Sequence, residues 1–357
     1  MSTKRVLNFN AGPSTLPLEA LEEVRDGFMD FGGMSVLELS HRSKEFEKIL
    51  GETKALFIDL MGIPKEYSVL FLQGGASLQF AMVPMNLMDA SADYALTGYW
   101  SKKAFKEAQL FGKANVVFTS ENNGFDRTPR NNEIALSPGA SYLHITSNNT
   151  IYGTQYHSFP ECGDVPLIAD MSSDILSRTI DVSKFGLIYA GAQKNLGPAG
   201  VTVVIIRNDL LKREYRKVAA MLRYSAHAES DSLYNTPPVF AIYVMSHVLK
   251  WAKKNGGVKA LEKLNREKAD VIYRAIDASG FYCGTAEKGS RSLMNVTFRL
   301  KDPALEERFL EEAKKLGMTG LKGHRAIGGI RASIYNAFPV EGARALAEFM
   351  KDFSLRA

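Results

Sequence analysis

Residues 187–206 read LIYAGAQKNLGPAGVTVVII. Two apolar runs, Leu187–Ala190 and Val201–Ile206, flank a turn of small residues that carries Gln193 and Lys194. Short continuous apolar runs read as strands buried on both faces. Upstream the pattern recurs at Leu167–Ala169, Tyr142–Ile145, Val116–Phe118 and Val69–Leu72, with helical periodicity between some of them, at Leu78–Leu87 and Ser101–Phe111. Two more helices are expected ahead of these. Leu18, Leu21, Val24, Phe28 and Phe31 carry one, which Pro17 opens; Phe46, Ile49, Leu50, Leu56 and Leu60 carry the other. Strands alternating with helices predict an α/β fold on a mostly parallel sheet covered on both faces, running to about Arg207.

Beyond Arg207 the character changes. Helices are expected over Pro237–Lys254 and Val258–Ala278, separated by Asn255-Gly256-Gly257. Strands at Leu293–Leu300 and Ile330–Ile334 alternate with helices at Ala304–Leu316 and Val340–Phe353. This is an α+β tail. The expected division is an N-terminal segment 1–16, a large domain 17–256 and a small domain 257–357.

The chain of 357 residues is 45% apolar and 23% charged, the composition of a globular protein and not of a disordered one. Its net charge of +5 is spread along the chain with no basic arm or clustered patch, so nucleic acid is not an expected partner. A few well-placed cations suffice for an anionic small molecule. The only two cysteines, Cys162 and Cys283, form no CxxC, and the six histidines form no HxH or HExxH. Neither a disulfide framework nor a metal site is expected. No apolar stretch is long enough for a signal peptide or a membrane span, which points to the cytoplasm.

Lys194 stands apart from the other lysines because its neighbours are small and uncharged. Desolvation lowers a lysine pKa, and a neutral amine can attack a carbonyl to form a Schiff base. Asp170 ends the apolar strand of VPLIADMSSDIL (165–176), at the sheet edge where α/β proteins bind ligands. Asp174, in the same stretch, reads better as a cap. In FLQGGASLQFAMVPMNL (71–87) a strand runs through Gly74-Gly75-Ala76-Ser77 into an amphipathic helix whose first N–H groups can hold a phosphate. Trp100, in TGYWSKKAF (97–105), is either core or a platform for a flat ring. His41-Arg42 and His324-Arg325 are paired cations beside small residues, and Arg331 enters an apolar strand where it needs an anionic partner. A Schiff-base lysine, an acid, a phosphate cup and a ring stack are together what pyridoxal phosphate asks for.

The chain resembles the phosphoserine aminotransferases, in the class V branch of the fold-type-I pyridoxal-phosphate enzymes. The resemblance runs nearly end to end: NFNAGPSTLP (8–17), SHRSKEFE (40–47), GGASLQF (74–80), SNNTIYGTQ (147–155), ADMSSDILSR (169–178), AGAQKNLGPAGV (190–201), YNTPPVFAIY (234–243) and GHRAIGGIRASIYNA (323–337). It implies a seven-stranded type of large-domain sheet and a homodimer with composite sites. Lys194 would carry the cofactor through its Schiff base, Asp170 would pair with the ring nitrogen, Trp100 would stack on the ring and Thr150 would hydrogen-bond the ring hydroxyl. Ala76, Ser77 and Gln193 would bind the cofactor phosphate, joined by Asn235 and Thr236 of the other subunit. Arg42 and Arg331 would hold substrate carboxylates; His41, His324 and Arg325 would help bind the substrate phosphate. Ala11 departs from relatives that carry a serine there, which touches one substrate contact and not the chemistry.

The reaction so implied moves an amino group between L-glutamate and 3-phosphohydroxypyruvate, in serine biosynthesis. Some family members also take a four-carbon phosphorylated keto acid in pyridoxine biosynthesis, a point the sequence leaves open. Three other readings stand beside it. A cysteine desulfurase needs a thiolate, which acids flanking Cys162 would oppose. A serine–glyoxylate type of transaminase would not need two His-Arg pairs. A nucleic-acid binder would leave Lys194 and Asp170 unexplained.

Overall fold

The computed structural model describes residues 5–130 and 132–357. Seven strands form the central sheet: β1 (Tyr67–Leu72), β2 (Ser91–Leu96), β3 (Lys113–Thr119), β4 (Leu143–Thr146), β5 (Leu167–Asp170), β6 (Leu187–Gly191) and β7 (Thr202–Arg207). Their spatial order is β1-β7-β6-β5-β4-β2-β3. Only β7 runs against its neighbours β1 and β6; the other pairs are parallel. Side chains alternate across the pleat, so one strand feeds two cores. Val69 and Phe71 of β1 enter the core beneath α1 (Leu18–Met29), α2 (Lys44–Met61) and α6 (Val239–Lys254). Leu70 and Leu72 enter the opposite core, under α3 (Gly75–Leu87), α4 (Tyr99–Ala108) and α5 (Tyr224–Glu229).

Two sequence expectations need correction. The strand β2, SADYAL, escapes an apolar-run reading because Asp93 sits in its middle. Asp93 is fully buried, yet Asn115 Nδ2 donates to it at 3.0 Å and the Ser137 N–H at 2.6 Å. A hydrogen-bonded carboxylate is tolerated where a bare one is not. Helix α3 is not amphipathic: Gln79, Phe80, Met82, Val83, Pro84 and Leu87 are all buried, so core surrounds most of its second half.

The C-terminal unit holds a separate core. An antiparallel sheet of β8 (Tyr282–Gly284), β9 (Asn295–Leu300) and β10 (Ile330–Ser333) packs with α7 (Gly257–Ala278), α8 (Glu306–Lys315) and α9 (Val340–Arg356). Gly256 and Gly257 form the α6–α7 turn, with Gly257 already helical. Core membership changes within α7, since Val258 joins the first core and Ala269 onward the second. The N-terminal strap crosses between the units. Phe9 is buried in the small core, while the Ser14 N–H donates to Gln193 O at 3.0 Å. No helix among the described residues is long and apolar enough to cross a membrane.

Candidate active site

The carboxyl ends of β1, β2, β4, β5 and β6 lie on one edge of the sheet, and the segments leaving them build the site. Lys194 is on the turn after β6. Ser14 Oγ donates to its carbonyl at 2.5 Å, and Gly12 passes so close that a Cβ there would meet Lys194 Cγ at 3.4 Å. Burial draws the Lys194 ammonium down to about 8; Asp170 pulls it back up and Arg331 pushes it further down. Asp170 ends β5, where its Oδ1 accepts the Ser172 N–H at 2.9 Å. Burial holds the Asp170 carboxyl above the ordinary range, with Lys194 and Ser172 pulling it back. The two side chains influence each other without forming an ion pair among the described residues, so space separates amine from carboxylate.

Helix α3 starts directly after β1. Gly74 has φ +86°, and a Cβ on it would fall 2.5 Å from Leu78 Cδ2, so only glycine fits this turn. Leu78 is the first residue whose N–H donates back into the helix, to Gly74 O. The N–H groups of Gly75, Ala76 and Ser77 are left free at the positive end of the dipole, a ready anion site. At the end of β2, Trp100 is half-buried and its Nε1 donates to Thr150 Oγ1 at 3.2 Å. Thr150 O in turn accepts Arg331 Nη1 at 3.1 Å. Arg331 lies within β10, and its buried Nε has no partner. No carboxylate pairs with it among the described residues, although the sequence demands one.

The loop before β10 brings in His324, whose ring stands 5.7 Å from that of Tyr99. Partial burial keeps the His324 imidazole below its usual range, reinforced by the charges of Arg331, Arg325 and Lys103. Arg325 is exposed with no partner among the described residues. His41 and Arg42 form a turn before α2, and neither side chain is engaged in a hydrogen bond or ion pair among the described residues. Thr236 O accepts Gln73 Nε2 at 3.0 Å, which places Asn235 and Thr236 beside the turn that opens α3.

Several supporting residues carry no signal in the sequence. Ser147 donates its N–H to Asp170 O at 3.0 Å and its hydroxyl to Asp174, which also accepts Gln155 Nε2 at 3.1 Å. Asp174 thus orders the loop behind Asp170. The Asn336 N–H donates to Asn195 Oδ1 at 3.0 Å, tying the strand of Arg331 to the residue after Lys194. His144 is buried beneath the sheet edge, bonded through Nε2 to Tyr189 OH at 2.9 Å, and burial pushes it down to about 3, so it stays neutral. Cys162 is a poor nucleophile, because burial and Glu161 push its thiol up to about 11.

The model of the aminotransferase class-V family matches residues 6–346. The chain belongs to that family. A phosphoserine aminotransferase of Lysinibacillus sphaericus is 57% identical over 356 residues, 98% of each chain. The solved phosphoserine aminotransferase of Bacillus circulans subsp. alkalophilus superposes with a TM-score of 0.97 at 50% identity, covering 99% of both chains. That of Trichomonas vaginalis, solved with pyridoxal phosphate bound, gives 0.92 at 38% identity over 97% of this chain and all of the other. The present chain is a pyridoxal-phosphate-dependent aminotransferase, and the residues present fit that cofactor. The aminotransferase offers an amine of lowered pKa, a buried carboxylate at the strand end beside it, free helix N–H groups and a guanidinium whose buried Nε has no partner.

Proposed function

We propose that this aminotransferase moves an amino group between L-glutamate and 3-phosphohydroxypyruvate, giving 2-oxoglutarate and O-phospho-L-serine. The observation that carries the reading is a set of cations without an acid partner among the described residues: Arg331, whose charge reaches Lys194, and the His324-Arg325 pair, whose charges interact with it. Both amino acids bear an α-carboxylate and a distal anion, so one cationic pocket accepts each in turn. The relatives' shared activity supports the same substrate pair.

Bound pyridoxal phosphate supplies a sink for the electron pair left when the substrate loses its α-proton. The Lys194 amine holds the cofactor between turnovers and, once released, carries that proton from the α-carbon. Asp170 keeps a proton at the ring nitrogen. Trp100 covers the ring face and Thr150 holds the ring hydroxyl. Ala76, Ser77 and Gln193 hold the cofactor phosphate. Arg331 and Arg42 take carboxylates, while His324, Arg325 and His41 take the substrate phosphate. The reading places the enzyme in the cytoplasm, in keeping with its two free cysteines.

The test is substrate choice. Following conversion of the bound cofactor to its amine form in single turnovers, phosphoserine and glutamate should react far faster than alanine; equal rates would sink the reading. A charge-assisted hydrogen bond is worth about 1.5–3 kcal/mol, or roughly 10- to 100-fold. Arg325→Leu should therefore lower kcat/KM for phosphoserine by that factor and leave alanine nearly unchanged. Arg331→Leu should weaken both, because both carry the α-carboxylate. Equal losses for Arg325→Leu would make His324-Arg325 a structural pair.

The same reading makes the enzyme a homodimer in which Asn235 and Thr236 complete the phosphate cup of the opposite subunit. Support comes from the family resemblance and from the exposure of the neighbouring Tyr234, at 46%. Mixing an inactive Lys194→Ala chain with an inactive Asn235→Ala, Thr236→Ala chain should restore activity, since one of the two sites in each heterodimer is then intact. Subunit exchange without recovery would refute shared sites.

A further inference from the structure

Adjacent lysines in the first turns of α4 have different fates. Lys102 is tied to Glu121 by an ion pair at 2.5 Å. Lys103 has no carboxylate partner among the described residues and stays exposed. Its position is nevertheless defined. Tyr99 and Trp100 precede it by four and three positions, so all three share one helical face. The Lys103 Nζ lies 5.0 Å from the Tyr99 ring centroid and 5.4 Å from that of Trp100, both within cation–π range.

These rings connect Lys103 to the site on two sides. Tyr99 faces the His324 ring at 5.7 Å, and Trp100 donates to Thr150, whose carbonyl holds Arg331. The Lys103 charge is felt at His324 along with those of Arg325 and Arg331. Four basic groups thus border one mouth, and among the described residues neither Lys103, Arg325 nor Arg331 has an acid partner. A cation parked on two aromatic faces keeps its charge available while giving up much of its rotamer freedom.

We propose that Lys103 is a specificity-determining residue that draws the doubly charged distal phosphate of the substrate into the pocket of His324 and Arg325. This rests on the phosphorylated-substrate reading above. Lys103 remains partly hydrated, so it acts through its field during capture and does not touch the reacting atoms. Its contribution belongs in kcat/KM, is largest at low ionic strength, and is absent from kcat.

The experiment compares Lys103→Met, Lys103→Arg and Lys102→Met holoenzymes with wild type, using phosphoserine and alanine at low and high salt. Lys103→Met keeps the apolar stem. Its kcat/KM for phosphoserine should fall about three- to tenfold at low salt, with kcat and alanine turnover unchanged and a flatter salt dependence. Lys103→Arg should restore the wild-type value, and Lys102→Met should match wild type throughout. Equal losses on both substrates, a loss in kcat, or an unaltered salt slope would overturn the proposal. A wild-type enzyme that does not prefer phosphoserine to alanine would instead overturn the reading beneath it, so the two failures are separable.

Discussion

Lys194→Ala should remove transamination, with kcat falling by at least about four orders of magnitude. On the proposed reading two functions would vanish together: the covalent hold on the cofactor and the amine that relays the α-proton. Acid–base relay alone is worth about 10²–10⁴-fold, and no other lysine among the described residues is placed to substitute. Among the described residues, Lys268 is the only other lysine with a strongly lowered pKa, about 7, and it is fully buried in the small unit with its Nζ donating to Tyr335 O at 2.6 Å. The absorbance of the attached cofactor and its resistance to dialysis after borohydride treatment should both be lost. A variant that keeps near-normal turnover would show that another amine does the work. The wild-type chain supplies a matching pH signature. With an ammonium near 8 instead of the ordinary 10.4 or so, cofactor capture by the stripped protein should rise tenfold per pH unit only up to about pH 8 and then level. A rise continuing to pH 10 would mean that burial does not activate this amine.

The site was legible in the sequence to the extent that its chemistry sits at strand ends. Lys194 and Asp170 end successive apolar runs, so the reading that found β5 and β6 also singled them out as candidates. Gly74 and Gly75 were visible because a strand-to-helix turn with left-handed backbone admits little else. The supporting network was not visible. Asn195, Asn265 and Asn336 lie in three separate segments, and Asn265 Nδ2 reaches both Asn336 Oδ1 and Ser177 O only after the small unit has packed on the large one. Polar residues read in isolation suggest surface; their burial is a tertiary fact. Strand β2 was lost for the same reason, because the partners of Asp93 lie on β3 and in a later loop. Lys103 is a different case. Its spacing from Tyr99 and Trp100 was in plain view, but an exposed lysine on a helix is ordinary until the His324 loop is found beside it.

Asp170→Asn should cost about 10²–10³-fold in kcat, the scale of losing one preorganised electrostatic group in a water-poor site, while leaving the fold intact. The two halves of this expectation come from one fact. Burial raises the Asp170 carboxyl pKa in the protein without cofactor. For an acid with a raised folded pKa, the stabilising contribution is full below the unfolded value, near 3.9, and is lost as pH rises through the folded value. At neutral pH the ionised carboxylate is therefore a net burden on the empty site. A neutral amide of the same shape relieves it and can still accept the Ser172 N–H at Oδ1. The stripped Asp170→Asn protein should accordingly melt at or above the wild-type temperature at pH 7, and the difference should shrink as pH falls toward 4. The loss appears only with cofactor bound, when a protonated ring nitrogen needs the anion that asparagine cannot provide. Stopped-flow half-reactions with glutamate and thermal melts of the stripped protein measure the two effects separately. A large drop in melting temperature would make Asp170 a structural cap, and unchanged half-reaction rates would move the ring-nitrogen partner elsewhere, with Asp174 the nearest buried alternative.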